Sequence, residues 1–184
     1  MSKYWLLIGS ATPLISTLQF TESPPSLSFV SQFTLGTSPM WLTNSPKFPT
    51  TIYAADRTTG VINSLALDIN TGGLTHIASV SNHTTGPNNL GIINNGTALG
   101  AADYVAGAAF IVNLDPTDPG QFTQDSALVS FKGSGPLPSQ LSPHAHQVGI
   151  VSHSGPSCTE LTDGFFALDC AIRRRSARPR PWFR

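Results

Sequence analysis

The segments AADRTTGVINSLALDINTGG (54–73) and AADYVAGAAFIVNLDPTDPG (101–120) superimpose at an offset of 47 residues without a gap. Ala54, Ala55, Asp56, Gly60, Leu67, Asp68 and Gly73 fall on Ala101, Ala102, Asp103, Gly107, Leu114, Asp115 and Gly120. Phe20 lies 47 before Leu67, and Pro39 and Leu42 lie 48 before Pro87 and Leu90. Each unit keeps one order of features. A Pro-led strand (SPMWLTN, GPNNLGI) precedes a strand ending in AAD, then a tight turn with glycine. A strand ending in LD, a Gly-containing hairpin turn and a last strand (LTHIASV, ALVSF) follow. Four short strands per unit of this length predict the blade of a β-propeller. Gly73 and Gly120 are expected to take positive φ in the hairpin turns. The unit is too long for a β-helix coil, lacks paired helices, and carries no GH…WD signature. A β-sandwich with accidental repetition is the alternative.

Composition agrees with an all-β chain. Among 184 residues there are 16 Gly and 15 Pro, and no stretch keeps helical spacing over three turns. Charged residues make up 11%, with ten of each sign, so no overall field steers the chain toward nucleic acid or an anionic membrane. The apolar core of the N-terminus, Tyr4 to Ile8, is shorter than the roughly 7–15 residues of a secretory signal. Strands at Tyr4–Ile8 and Ser16–Phe20 fit it better, and no run approaches the roughly 18 apolar residues of a membrane span. A cytoplasmic location is expected; the sequons at Asn82 and Asn95 carry little weight without a secretory route.

The chemistry-bearing motif is SPHAHQV (142–148). Pro143 lies 56 after Pro87 and Val148 lies 56 after Ile92, so the motif opens the inner strand of a further blade, delayed by the loop KGSGPLPSQL. Side chains at i and i+2 share a face of a strand, so His144 and His146 point the same way, toward the channel mouth. That suits an acid/base pair and equally two solvated loop histidines. A metal site is weaker, since no third ligand stands near in sequence. Asn88 and Asn89 lie at the same channel end as candidate pocket donors, and Arg57, after its AAD strand, is a candidate for a substrate carboxylate. Asp56 and Asp103 recur at equivalent positions, which favours turn-holding roles. His76 is expected on an outer strand and His83 in a polar turn.

WLLIGSATPLISTLQF, IYAAD…LALDINTGGLTHIASV and GSGPLPSQLSPHAHQV together resemble the seven-bladed β-propeller lactonase family. That family includes 6-phosphogluconolactonases and carboxy-cis,cis-muconate cyclases, and the opening is most similar to the fungal cyclase-like branch. Its G-P-H-P-H-x-V element stands here as Ser142 to Val148, with Ala145 replacing the middle proline. The resemblance implies a small-molecule lactone or carboxylate substrate, lactone ring opening or closing, and no cofactor or metal. It makes His146 the acid/base candidate and His144 its neighbour, working with arginines and a glutamate from later blades.

The resemblance ends near residue 149, and the pattern changes beyond residue 150. Residues 1–153 are assigned to a partial propeller of about three to four blades. Residues 154–184, holding Cys158, Cys170 and a basic run from Arg173 to Arg184, are assigned to an unrelated, disordered non-propeller tail. Two function classes follow: a lactonase-like enzyme, truncated and impaired, or a non-catalytic β-repeat module or inactive fragment. Open sheet edges invite self-association. Neither nucleic acid nor membrane is expected as a partner.

Overall fold

The computed structural model describes residues 2–81, 84–93, 96–135, 138, 141–153 and 162–169. These residues form strands, turns and loops without an α-helix. Strands β1 (Lys3–Ile8), β2 (Leu14–Glu22) and β3 (Pro25–Thr34) make one antiparallel sheet. The second sheet holds β4 (Pro39–Asn44), β5 (Thr51–Asp56), β6 (Val61–Leu67) and β7 (Leu74–Ser81) in that order. The third holds β8 (Pro87–Ile93), β9 (Ala98–Asp103), β10 (Ala108–Leu114) and β11 (Phe122–Ser130), and β12 (Ala145–His153) pairs with β13 (Thr162–Asp169). Each sheet is a meander packed face to face on the next, as propeller blades are. The sandwich alternative, which needs Greek-key crossings, does not describe it.

The sequence period is the blade period. Pro39 faces Asp56 and Pro87 faces Asp103 across the first two strands of their sheets. The first sheet departs from the expected four strands. Leu7 pairs with Thr17 as Tyr53 pairs with Ser64, so β1, β2 and β3 correspond to β5, β6 and β7. Among the described residues nothing stands where β4 and β8 stand in their blades. At the other end β13, from the segment set apart as a tail, pairs antiparallel with β12.

Two hydrophobic clusters join the blades. Leu7, Ile15, Phe33 and Leu35 of the first sheet pack on Ile52, Ala54 and Leu65 of the second. Tyr53, Ala55 and Ile62 of the second pack on Leu90, Leu99, Ala101, Val112 and Leu114 of the third. All six residues of β5 and of β9 are buried, because neighbouring blades cover both faces of the middle sheets. Polar ties lock the stack: the Tyr53 hydroxyl donates to the Pro119 carbonyl at 2.7 Å, and Trp41 Nε1 donates to the Leu90 carbonyl at 3.1 Å.

The hairpin glycines differ from expectation. Positive φ falls on Gly72 (73°), not on Gly73 or Gly120. Gly72 closes the turn by donating to the Asp68 carbonyl, and Gly73 then re-enters the ladder, its carbonyl accepting from the Asp68 amide. In the equivalent turn Asp115 Oδ1 accepts from Thr117 and Asp118 amides, which shapes the chain without a left-handed glycine.

The paired aspartates hold turns, as their recurrence implied. Asp56 is fully buried and accepts from the amides of Thr37, Ser38, Thr58 and Thr59. Burial opposes its ionisation, but the amides of Thr37, Thr59 and Ser38 and the Thr37 hydroxyl outweigh it, and its pKa lies below the ordinary value. Asp103 Oδ1 accepts from the Ala106 amide at 2.8 Å.

Candidate functional site

The blades are antiparallel meanders, so the start of each first strand lies beside the end of each second strand. Residues 57, 88, 104, 144 and 146 therefore gather at one end of the stack, although they come from three blades. Tyr104 is their centre. The His144 ring stacks on it with centroids 4.4 Å apart and planes at 16°, and His144 Nδ1 donates to the Tyr104 carbonyl at 2.7 Å. His146 stands edge-on to the same ring at 5.5 Å. The Arg57 guanidinium lies 5.6 Å from the Tyr104 centroid, within cation–π reach.

His146 is exposed and oriented by Asn88. Asn88 Nδ2 donates to His146 Nδ1 at 3.4 Å and to the His146 carbonyl at 3.3 Å. The His146 carbonyl can only accept, so the amide nitrogen, and not its oxygen, belongs on that side and donates to Nδ1 as well. Nδ1 then carries no proton in the neutral ring, and the proton sits on Nε2. His146, exposed, thus keeps an N–H donor at Nε2. Asn88 Oδ1 is buried without a hydrogen-bond partner among the described residues.

Asn89, expected beside Asn88 as a pocket donor, points the other way. It is 4% exposed, and its Oδ1 accepts from the Val148 amide at 2.8 Å, which clamps β12 to β8. Its service to the site is to hold the strand that carries the histidines. Arg57 touches the Met40 sulphur at 3.8 Å and the Tyr104 ring, neither of which neutralises its charge. His76 lies exposed on β7, bonded to Ser79 at 2.8 Å, away from this cluster. His83, Cys158, Cys170 and the basic run lie outside the described residues.

Tyr104 was not anticipated, yet a signal for it existed. At the offset of 47 it is the repeat equivalent of Arg57, the residue that follows AAD in each blade. Two equivalent positions meet at one site because equivalent strand ends converge on the inner end of the stack. A cleft of about 300 Å³ lies elsewhere, between β1 and β4, lined by Trp5, Leu7, Leu42, Asn44, Pro49 and Ile52 among others. None of its lining residues can accept or donate a proton near neutrality, so it offers no acid–base chemistry.

Stacked antiparallel meander blades, with an H-x-H element at the head of the first strand of the last sheet, define a β-propeller architecture. The family model for the seven-bladed β-propeller lactonases matches residues 5–155, and the chain belongs to that family. Solved structures agree on the fold. A periplasmic gluconolactonase of Pseudomonas aeruginosa superimposes with a TM-score of 0.74 at 22% identity, over 91% of this chain and 47% of that one. Candidate 6-phosphogluconolactonases of Bacteroides fragilis and Bacteroides uniformis give 0.70 and 0.72 at 23% and 20% identity. They cover 81% and 91% of this chain and 42% and 55% of their own. The chain thus spans about half the length of these structures. No curated protein matches it.

Proposed function

We propose that the cluster around Tyr104 binds an anionic lactone or its open-chain hydroxy acid, with His146 as proton donor and Arg57 as anchor for the anionic group. The convergence of a guanidinium without a carboxylate partner among the described residues and an N–H-presenting imidazole on one aromatic ring carries this reading. Water attacking a lactone carbonyl puts negative charge on its oxygen, and a donor at that oxygen lowers the barrier. His146 Nε2–H is the group available for it, and by microscopic reversibility it also serves ring closure. Arg57 offers a planar fork suited to a carboxylate or phosphate.

The cations in the blades besides Arg57 are Lys3, Lys47 and Lys132, none of them in the cluster. A single anchor leaves a substrate loosely oriented, and orientation is worth several kcal/mol of barrier. The chain alone is therefore a binder with weak catalysis, at most the roughly 10²–10⁴-fold of general acid–base help. The test is to assay the purified chain on 6-phosphogluconolactone and on carboxymuconate, and to titrate 6-phosphogluconate into it by calorimetry. Binding that weakens at least tenfold in Arg57→Ala, with slow turnover abolished by His146→Ala, supports the reading. Binding indifferent to both substitutions removes it.

A further inference from the structure

Three sheets carry the same irregularity between their first two strands. In β4 the register passes from Pro39 opposite Asp56 to Trp41 opposite Ala55, and Met40 is left unopposed. In β8 it passes from Pro87 opposite Asp103 to Asn89 opposite Ala102, leaving Asn88. In β12 it passes from Ala145 opposite Asp169 to Gln147 opposite Leu168, leaving His146. Each is a β-bulge, a device that re-aims one side chain, and bulges gather beside functional sites. Register thus makes Ala145, not Pro143, the counterpart of Pro39 and Pro87, and all three are buried.

Met40, Asn88 and His146 are therefore equivalent positions of successive sheets. Two of them belong to the cluster around Tyr104, His146 by its edge contact and Asn88 through His146. The third meets the cluster at Arg57. Arg57 Nη1 lies 3.8 Å from Met40 Sδ, and Met40 is 40% exposed. The position that supplies an amide in one blade and an imidazole in another is filled here by a thioether, apolar and at best a weak acceptor. The guanidinium is thereby flanked by the Met40 side chain and the Tyr104 ring. An anion held at Arg57 brings its adjoining carbon atoms against these neighbours. A hydroxyl on those carbons would lose water without gaining a partner from the thioether.

We infer that Met40 is a specificity-determining residue of this site, selecting acids whose carbons next to the Arg57-held anionic group bear no hydroxyls. The inference rests on the reading of Arg57 as the anion anchor and adds which acids that anchor takes. Hydrogen bonding belongs to the other side of the cluster, where Asn88 and His146 stand. The bulge residues thus give the site one hydrocarbon wall and one polar wall. The discrimination has a ceiling, since an apolar wall rejects an added hydroxyl by only about a hundredfold.

Adipate and glucarate test it, because the two diacids share length and charge and differ only in the hydroxyls of glucarate. Calorimetric titration of each into the full chain should show adipate bound at least tenfold more tightly. Met40→Asn, which puts the residue of the next blade at this bulge, should bring the two affinities within about twofold of each other. Met40→Leu keeps the hydrocarbon and should leave the preference unchanged. Circular dichroism checks the fold of each variant, and Met40→Gln stands in if Met40→Asn does not fold. Arg57→Ala separates the anchor from the selection. Binding indifferent to Arg57→Ala, or no binding of either acid, overturns the anchor and the inference with it. Binding that needs Arg57 but shows no preference, or a preference that Met40→Asn leaves intact, overturns the inference alone. So does a preference lost equally in Met40→Leu, which would mark a merely structural role.

Discussion

His144 is fixed twice by one residue: its ring lies 4.4 Å from the ring of Tyr104, and its Nδ1 donates to the carbonyl of that same Tyr104. The stack sets the plane of the imidazole and the hydrogen bond sets its rotation within the plane. A face contact and a backbone acceptor from one turn thus replace the carboxylate that often orients a histidine. The stack depends on the aromatic ring and not on its hydroxyl. Tyr104→Phe should keep the upfield ring-current shift of the His144 imidazole protons in NMR spectra, and Tyr104→Leu should abolish it. Aromatic pairs are worth about 0.5–1.5 kcal/mol, so Tyr104→Leu should also weaken 6-phosphogluconate binding several-fold.

Gly107 is the backbone seat of the histidine motif. Its φ is 58°, and a Cβ there would run into the Pro143 carbonyl. Gly107→Ala should cost about 1–3 kcal/mol from left-handed strain and the clash together, and should shift the resonances of His144 and His146. Gly149→Ala is the control: nothing lies within 4 Å of a Cβ there, and urea melts should move little.

Acid should loosen the blades through their turn aspartates. Asp56, Asp68 and Asp115 have pKa values lowered in the folded chain. At Asp68 and Asp115 the hydroxyls of Thr71 and Thr117 are the main cause. A lowered folded pKa contributes stability that is present above the unfolded value of about 3.9 and is lost as pH falls through the folded one. Melting temperature should therefore drop steeply below about pH 4. Asp56→Asn should flatten that drop and destabilise the chain near neutrality by about 2–4 kcal/mol, since bonds to a buried charge are lost.

Alkali should act through Tyr53. Burial, and then the charge of Asp118, push its pKa up to about 12. A raised folded pKa gives stability that is complete below the unfolded value of about 10 and declines as pH rises toward the folded one. Tyr53→Phe should remove that alkaline loss. It should also cost about 1–2 kcal/mol at neutrality, because the bond to the Pro119 carbonyl goes. Denaturant melts between pH 7 and 11.5 check both.

Much of the fold was legible because blade strands are local. A Pro-led strand, an AAD strand and a Gly turn repeat at 47 residues, and meander neighbours pair with the next segment in sequence. The turn roles of Asp56 and Asp103 followed from the same recurrence. The missing first strand of the first sheet was harder to see, because the period aligns strands without saying which position in the blade comes first. Arg57 entered the reading as a candidate with no partner, and Tyr104 was overlooked. Their meeting joins two turns, and no local pattern records how far apart two turns lie in space.

By itself, then, the sequence determined the strand content, the period, the turn carboxylates and the place of the His144–His146 pair at the head of an inner strand. These follow from hydrophobic alternation, turn chemistry and repetition, all of which act over a few residues or one blade. Tertiary structure alone decided that Arg57, Asn88, Tyr104, His144 and His146 share one site, and that Asn89 serves the strand beside them. The reason is physical: packing angle and register between blades bring distant strand ends together, and those are set by the buried faces of whole sheets.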